Sequence, residues 1–299
     1  MKRVKVGIIG CGVMGSFHLK QYGTIPEVEI VGTSDVDPSR ATQGVKFFNK
    51  YKDLLKATDA VSITTPTSTH FDVAMAALDA GCHVLIEKPI SITSDQGKKL
   101  IKKAKAKRKV LAVGHIERFN PAYMALAEQL GKKIPDLIDI KRFSPFPARI
   151  TDASCVIDMM IHDIDLARHL AGSQVKHINV IGKKIRTNRL DQALAVLVFK
   201  NGVVANIETN RVHVEKIRKV TVAGMKGIFE ADLLGRSLKI STAGKSKNIG
   251  VKPFDQLNFE LKDFVNAIIK KRKPSVTGED GLSALEIANK IEEAALRSC

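Results

Sequence analysis

Cysteine is scarce in this chain and follows no pattern. Its four residues, Cys11, Cys82, Cys155 and Cys299, include no CxxC pair and no spacing that would gather metal ligands. That argues against a disulfide framework or a zinc site; packed thiols are expected, apart from Cys299 at the chain end. Long apolar runs are lacking as well: none approaches the roughly 18–20 residues that cross a bilayer, so no membrane role is expected. The chain passes from MKRVKVGIIG directly into a glycine loop, without the apolar segment and small-residue cleavage site of a secretory signal. A cytoplasmic protein is the expectation. Internal repeats and low-complexity linkers are missing too, and 44% hydrophobic with 26% charged residues excludes a disordered, collagen-like or coiled-coil chain.

Acid is also in short supply. Against 48 Lys and Arg stand only 31 Asp and Glu, a formal charge of +17. Such a surface can steer anions, whether nucleic acid, phosphorylated substrates or dinucleotides. The densest basic run, KKLIKKAKAKRK at 98–109, also reads as a solvated helix face whose Leu100, Ile101 and Ala104 turn inward while the lysines snorkel. No arginine cluster, helix-turn-helix or zinc spacing supports a nucleic-acid reader, and nucleic acid is disfavoured as a partner.

At 299 residues the chain is long for one hydrophobic core, so two domains are expected. The first 118 residues alternate short β-branched runs with helical patterns: strands at 4–9, 29–34, 59–64, 83–87 and 109–114, with a helix over 12–22 and others between later strands. This alternation predicts right-handed βαβ crossovers and a doubly wound parallel sheet. Near Asn120 the grammar changes. A helix at about 121–130 and a helical stretch DMMIHDIDLARHL precede several strands joined by tight turns, with Asn201-Gly202 as a hairpin signal. Helices at about 255–272 and 279–297 close the chain. The expectation is α/β: a dinucleotide-binding Rossmann domain at 1–118, then an α+β domain at 119–299 with an open, mainly antiparallel sheet.

Gly10-Cys11-Gly12-Val13-Met14-Gly15 is GxGxxG between a predicted strand and a predicted helix, the setting this fingerprint requires. Gly10 permits a tight turn, Gly12 clears the approach of a pyrophosphate, and Gly15 lets helix and strand pack closely. Asp35 ends the second strand, where a carboxylate accepts hydrogen bonds from a ribose 2′-OH and repels a 2′-phosphate. NAD is therefore favoured over NADP, a preference that Arg40 softens. The run Thr64-Thr65-Pro66-Thr67-Ser68-Thr69-His70 has two open readings: an edge of the cofactor crevice, or a cap from Ser68 or Thr69 on the next helix.

Glu87-Lys88-Pro89 ends the strand HVLIE, and the proline restricts Lys88 to extended backbone. An ammonium there can stabilise a developing alkoxide. Asp158 and His162 stand four residues apart, on one face of a helix; an aspartate that fixes the tautomer of an imidazole makes it a general base. A helix-surface Asp–His pair is the bland alternative. A metal site of His162, Asp163 and His169 is disfavoured for want of further ligands, and no metal is expected.

Taken in order, GxGxxG, the Thr65-Pro66…His70 run, Glu87-Lys88-Pro89, the D-x-x-x-H helix and the hairpin-rich second half resemble the Gfo/Idh/MocA oxidoreductases over essentially the whole chain. The resemblance implies NAD(P) held by residues 10–15, Asp35, Arg40, Thr64, Thr65, Pro66, His70, Glu87 and Lys88. It implies Lys88, Asp158 and His162 around a sugar or polyol hydroxyl, and a homodimer or homotetramer built on the second-domain sheet. One departure stands out: the family often has glycine where this chain has Met160, which is expected to narrow the space above the substrate. The segments 114–122 (GHIERFNPA) and 161–165 (IHDID) are similar to the nucleotide-sugar dehydrogenases of this family, those acting on UDP-N-acetylglucosamine included. They make Arg118, Asn120 and Arg142 candidate substrate contacts, with inter-domain salt bridges as the alternative. A dehydrogenase of a free aldose, inositol or sugar acid, and a non-catalytic dinucleotide sensor, are the rival functions.

Overall fold

The computed structural model describes residues 3–146, 153–224 and 227–297; Cys299 lies outside them. The chain divides into two compact units, Met1–Ile116 with Asp255–Leu282, and Glu117–Phe254 with Ser283–Cys299. The expected cut after residue 118 falls within two residues of the first of these boundaries. The C-terminal part differs from the expectation, because Asp255–Leu282 returns to the first unit.

In the first unit, β1 (Val4–Ile9), β2 (Val28–Ser34), β3 (Ala60–Ile63), β4 (His83–Glu87) and β5 (Leu111–Gly114) form a parallel sheet ordered β2-β1-β3-β4-β5. Helices α1 (Val13–Tyr22), α2 (Tyr51–Leu55), α3 (Thr67–Asp79) and α4 (Ser94–Lys107) supply the crossovers. Strands β1 and β3 are apolar and almost wholly buried, as strands covered on both faces must be. Helix α4 opens with a capping box in which the Thr93 hydroxyl accepts from the Gln96 N–H and the Gln96 side-chain oxygen accepts from the Thr93 N–H. It buries Leu100, Ile101 and Ala104 beneath its lysines, as the spacing predicts.

The second unit is built on eight strands: β6 (Leu137–Phe143), β7 (Val175–Lys183), β8 (Gln192–Phe199), β9 (Val204–Asn210), β10 (Ile217–Gly224), β11 (Gly227–Asp232), β12 (Ser237–Thr242) and β13 (Lys245–Ile249). They are ordered β13-β12-β11-β10-β6-β9-β8-β7, and every pair is antiparallel except β6 with β9. The Asn201-Gly202 turn joins β8 to β9, with Gly202 at φ +92. Strand β6 has no counterpart among the expected strands. Helices α5 (Pro121–Leu130) and α6 (Ile161–Ala171) belong to this unit. One sheet face, through Ile138, Ile140, Ala195, Leu197, Ala205 and Ile207, shares a core with both helices.

The chain ends in α7 (Gln256–Ile269) and α8 (Gly278–Arg297). The return of α7 to the first unit has a plain cause. Its apolar stripe of Leu257, Leu261, Phe264 and Val265 shares one core with Val6 and Ile8 of β1 and with Tyr22 of α1. A sheet face left open to water would forgo that burial.

Glu260 rides on the same helix, 2% exposed, with neither carboxylate oxygen hydrogen-bonded. Burial pushes its pKa well above the ordinary 4.5, and the charges of Glu87 and Asp263 push the same way. The folded chain therefore holds a proton on Glu260 that the unfolded chain releases above about pH 4.5. Its contribution to stability is full below that pH and is lost as pH rises toward the folded-state value. Glu260→Gln, which stays neutral, should flatten this dependence: its unfolding free energy from urea titrations should gain on the wild type between pH 5 and pH 8, by at most about 1.4 kcal/mol per pH unit. A constant offset across that range would contradict a buried neutral Glu260.

Candidate active site

Strand order reverses between β1 and β3, and open α/β sheets bind ligands beyond the carboxyl ends of strands at such a point. The chain leaves β1 through Gly10, at φ +96, where a Cβ would sit 2.7 Å from the Thr64 carbonyl carbon. At Gly15 a Cβ would lie 1.9 Å from the Gly10 oxygen. Both glycines are thus required by the chain itself. Gly12 is different: a Cβ there meets nothing within 4 Å except an Arg40 guanidinium nitrogen at 3.6 Å. Gly12 keeps a space clear for something that the chain does not provide. It also begins α1, which has no side-chain cap and no acidic residue in its first turn, leaving that positive helix end suited to phosphates.

A cleft of about 920 Å³ opens here, lined by Gly10, Gly12, Asp35, Arg40, Thr65 and Pro66 among others. Asp35 accepts hydrogen bonds from the N–H groups of Cys11 (2.6 Å) and Asp37 (2.9 Å). This fixes the carboxylate while each oxygen keeps a second lone pair for a ribose hydroxyl. Arg40 leans on Asp37 at 3.3 Å and lies 4.0 Å from Asp35. Burial pushes the Cys11 thiol up, with Asp35 adding to the effect, so Cys11 is no thiolate nucleophile. Val36, Asp37, Asn49 and Tyr51 also line the cleft. The sequence reading missed them because they sit in, or just after, the segment between β2 and α2, with Tyr51 opening α2 itself, where no motif points to a ligand.

Thr64 donates through Oγ1 to the Gly10 carbonyl at 2.6 Å, tying the β3 loop to the glycine turn. Helix α3 takes no side-chain cap. Thr69 instead donates to the Pro66 carbonyl (2.9 Å) and lines the cleft with Thr64 and Thr65. Of the two readings for this run, the geometry supports the crevice edge. His70 is buried, with its ring nitrogens 2.8 Å from the Pro89 carbonyl oxygen and 2.9 Å from that of Thr65. Burial holds its pKa below the ordinary histidine value, so the neutral ring has one N–H and donates to only one of the two carbonyls. It is wedged between the two loops and is not among the residues lining the cleft.

The Lys88–Pro89 peptide is cis, and Lys88 is half-buried at the end of β4. The Glu87 carboxylate turns inward, 3.0 Å from His18 Nε2. Burial pushes Glu87 up, but the His18 contact and the Lys88 charge outweigh it and leave its pKa below the ordinary value. His18, Glu87 and Glu260 place their donor atoms within 4.8 Å of one another, the one such group among the described residues.

In the second unit, Asp158 and His162 are both half-buried, but the expected single α-helix is a π-helical turn, Val156–Met160, that runs into α6. Such widened turns recur at functional sites. Met160 differs from the expectation: it is fully buried in the core of this unit and borders no open space. The segment before the turn is anchored by Arg211, itself fully buried, which donates to the Ala153 carbonyl at 2.6 Å and to Asp191 at 2.9 Å. Asp191 also accepts from the N–H groups of Ile185, Arg186 and Thr187. Despite burial, those bonds hold its carboxyl well below the usual range.

Helix α6 is held by two more buried pairs. Arg142 binds Asp163 (2.7 Å) and Glu117 (3.1 Å), and Arg118 grips Asp165 through Nε (2.6 Å) and a terminal nitrogen (3.1 Å). Asn120 caps α5 and donates to the Leu233 carbonyl. Arg118, Asn120 and Arg142 were candidate substrate contacts. The structure instead buries all three and engages them inside the second unit, so the alternative of inter-domain salt bridges does not describe these contacts either. Asp163, being committed to Arg142, is no metal ligand beside His162.

Residues 4–115 match the model of the oxidoreductase family with an NAD-binding Rossmann fold, and residues 140–230 match the GFO/IDH/MocA C-terminal domain. The chain is 33% identical to the UDP-N-acetylglucosamine 3-dehydrogenase of Acidithiobacillus ferrooxidans, over 98% of each chain. A solved structure of that enzyme superposes with a TM-score of 0.95, over 100% of this chain and 99% of that one. The scyllo-inositol 2-dehydrogenase (NAD(+)) of Bacillus subtilis is 28% identical, over 95% of this chain and 92% of its own. A GxGxxG cleft on a parallel sheet, a second unit on an open sheet and these matches along the whole length agree: the chain belongs to the Gfo/Idh/MocA family of oxidoreductases.

Proposed function

We propose that the protein oxidises a sugar hydroxyl with NAD⁺, and that the sugar is UDP-N-acetylglucosamine, converted at C3 to the ketone. The observation that carries the substrate is the 33% identity to a UDP-N-acetylglucosamine 3-dehydrogenase across 98% of both chains, against 28% for the inositol enzyme. NAD is preferred over NADP because Asp35 presents a carboxylate where a 2′-phosphate would sit, and Arg40 is turned toward Asp37. The residues fit the dinucleotide: Gly12 leaves the space that a Cβ would fill, the first turn of α1 faces the phosphates, and Asp35 takes the adenosine ribose. Bound NAD⁺ supplies the hydride acceptor.

The chain supplies the proton chemistry. His162 removes the hydroxyl proton, Asp158 fixes the imidazole and favours its protonated form, and Lys88 donates a hydrogen bond to the oxygen as negative charge develops on it. Arg211, Arg142 and Arg118 hold the segment that carries Asp158 and His162. The outer face of the second unit's sheet, with Leu137, Leu194 and Val196 at least partly exposed, is the proposed seat of a homodimer or homotetramer. A cytoplasmic setting fits a substrate and cofactor of this kind.

Two sets of variants test this reading. Gly12→Val should weaken NADH binding at least about tenfold by calorimetry while leaving the melting temperature nearly unchanged, since its side chain meets only the ligand's space. Gly15→Ala should cost stability as well, because its methyl collides with backbone. With NAD⁺ and a panel of UDP-N-acetylglucosamine, UDP-glucose, myo-inositol and scyllo-inositol, the UDP-N-acetylglucosamine reaction should dominate. Lys88→Ala and His162→Ala should each lower turnover by about 10²–10⁴, with NADH binding retained. Wild-type turnover in either variant would contradict the assigned roles.

A further inference from the structure

The proposed reaction leaves the basic surface unexplained, and the structure gathers part of it into one place. Helix α4 is followed by Arg108 and Lys109, and α7 by Lys270–Lys273. These two runs, far apart in sequence, meet at a cavity of about 710 Å³ in the first unit. It is lined by six cations, Lys105, Arg108, Lys109, Lys271, Arg272 and Lys273, against one carboxylate, Glu279. Its floor is apolar, with Ile101, Leu111 and Ile268. The cavity sits where β4 and β5 begin, at the opposite edge of the sheet from the dinucleotide cleft, and the two share no lining residue.

Three features separate this cavity from an ordinary lysine-rich surface. Lys105 is paired with Glu279 (2.7 Å) and Arg272 with Asp263 (2.6 Å), but Arg108, Lys109, Lys271 and Lys273 make no ion pair among the described residues. Arg108 and Lys271 stand at helix ends with φ +53 and +50, positions at which glycine is the ordinary residue. Each retains a long cation there instead. The third feature is a neutral donor. His83 Nδ1 accepts the Val110 N–H at 2.9 Å, which leaves the ring proton on Nε2, and this ring lines the cavity. A smaller recess of about 400 Å³, with Arg3 at its edge, shares His83, Lys109 and Ile268 with it.

Helix dipoles account for only part of this charge. The carboxyl ends of α4 and α7 each carry roughly half a negative charge, far less than the cations around them. Nor is the form that of a nucleic-acid groove: it is a pocket, within the roughly 300–1,000 Å³ range of small-molecule sites. We propose that this cavity is a second anion site, which binds a small polyphosphate-bearing ligand whose planar or apolar body rests on the Ile101–Leu111–Ile268 floor. A nucleoside triphosphate matches it in charge and in having both parts.

ATP is the probe, titrated by calorimetry into protein saturated with NADH at about 0.15 M salt. One equivalent should bind without displacing NADH, and inorganic tripolyphosphate should bind more weakly because it leaves the floor uncovered. Lys271 and Lys273 are exposed, so Lys271→Glu/Lys273→Glu should fold and bind NADH as the wild type does, yet lose ATP affinity at least about tenfold. The absence of ATP binding, its competition with NADH, or equal affinity in the variant would overturn the proposal. So would tighter binding of a single-stranded oligonucleotide than of ATP, which would mark an extended polyanion surface instead.

Discussion

Helix α1 meets the end of β1 at a separation that only glycine tolerates. The Gly10 carbonyl oxygen lies 1.9 Å from the place a Cβ on residue 15 would take, and Gly10 itself has a left-handed backbone that an L side chain rarely adopts. This contact sets where α1 begins, and so where its uncapped positive end points. It also draws in the β3 loop, because Thr64 bonds to the same Gly10 carbonyl. His70 is packed between the Thr65 and Pro89 carbonyls, next to Lys88, and donates its one N–H to one of them. One close approach thus orders, by successive contacts, the loops at the carboxyl edge of the sheet.

The second unit solves a different problem by a different means. The helix that carries His162 begins in a widened turn, which provides a weak frame by itself. Three buried arginines supply the rigidity. Arg211 holds the chain before the turn, and Arg142 and Arg118 hold Asp163 and Asp165 just after His162. A buried pair with one partner removed costs about 3–5 kcal/mol, because the other charge is left stranded. Such pairs contribute little net stability when intact, yet they penalise every arrangement in which the helix has shifted. In the IHDID segment Asp163 and Asp165 thus serve placement, beside the residue proposed as the base, His162.

Much of this was legible in the sequence where physical rules are local. The glycine fingerprint, the alternating strands of the first unit, the Asn201-Gly202 hairpin and the inward face of the basic helix are all set by neighbours within a few residues. What the sequence concealed depended on distant partners. Strand β6 escaped notice because its inward positions are Ile138, Ile140 and Arg142, and a charge at the third breaks the apolar alternation that marks a strand. Asp191 and Arg211 carry no signal in the sequence, because each is satisfied by the other across 20 residues of chain. The same blindness made Arg118 and Arg142 look like ligand contacts. Helix α7 has a clear apolar stripe, but nothing in that stripe says which unit it covers. The convergence of the 105–109 and 271–273 cations at one cavity was likewise invisible in either run alone.

The central claim is that the chain takes a hydride from C3 of UDP-N-acetylglucosamine. The direct measurement uses UDP-N-acetylglucosamine carrying deuterium at C3, incubated with NAD⁺ and the protein, with the mass of the reduced cofactor as readout. The account predicts NADH heavier by about one mass unit, with a slowed rate if hydride transfer limits turnover. Reduced cofactor without the label, or no reduction with this sugar while NAD⁺ is reduced in a parallel incubation with an inositol, would contradict it.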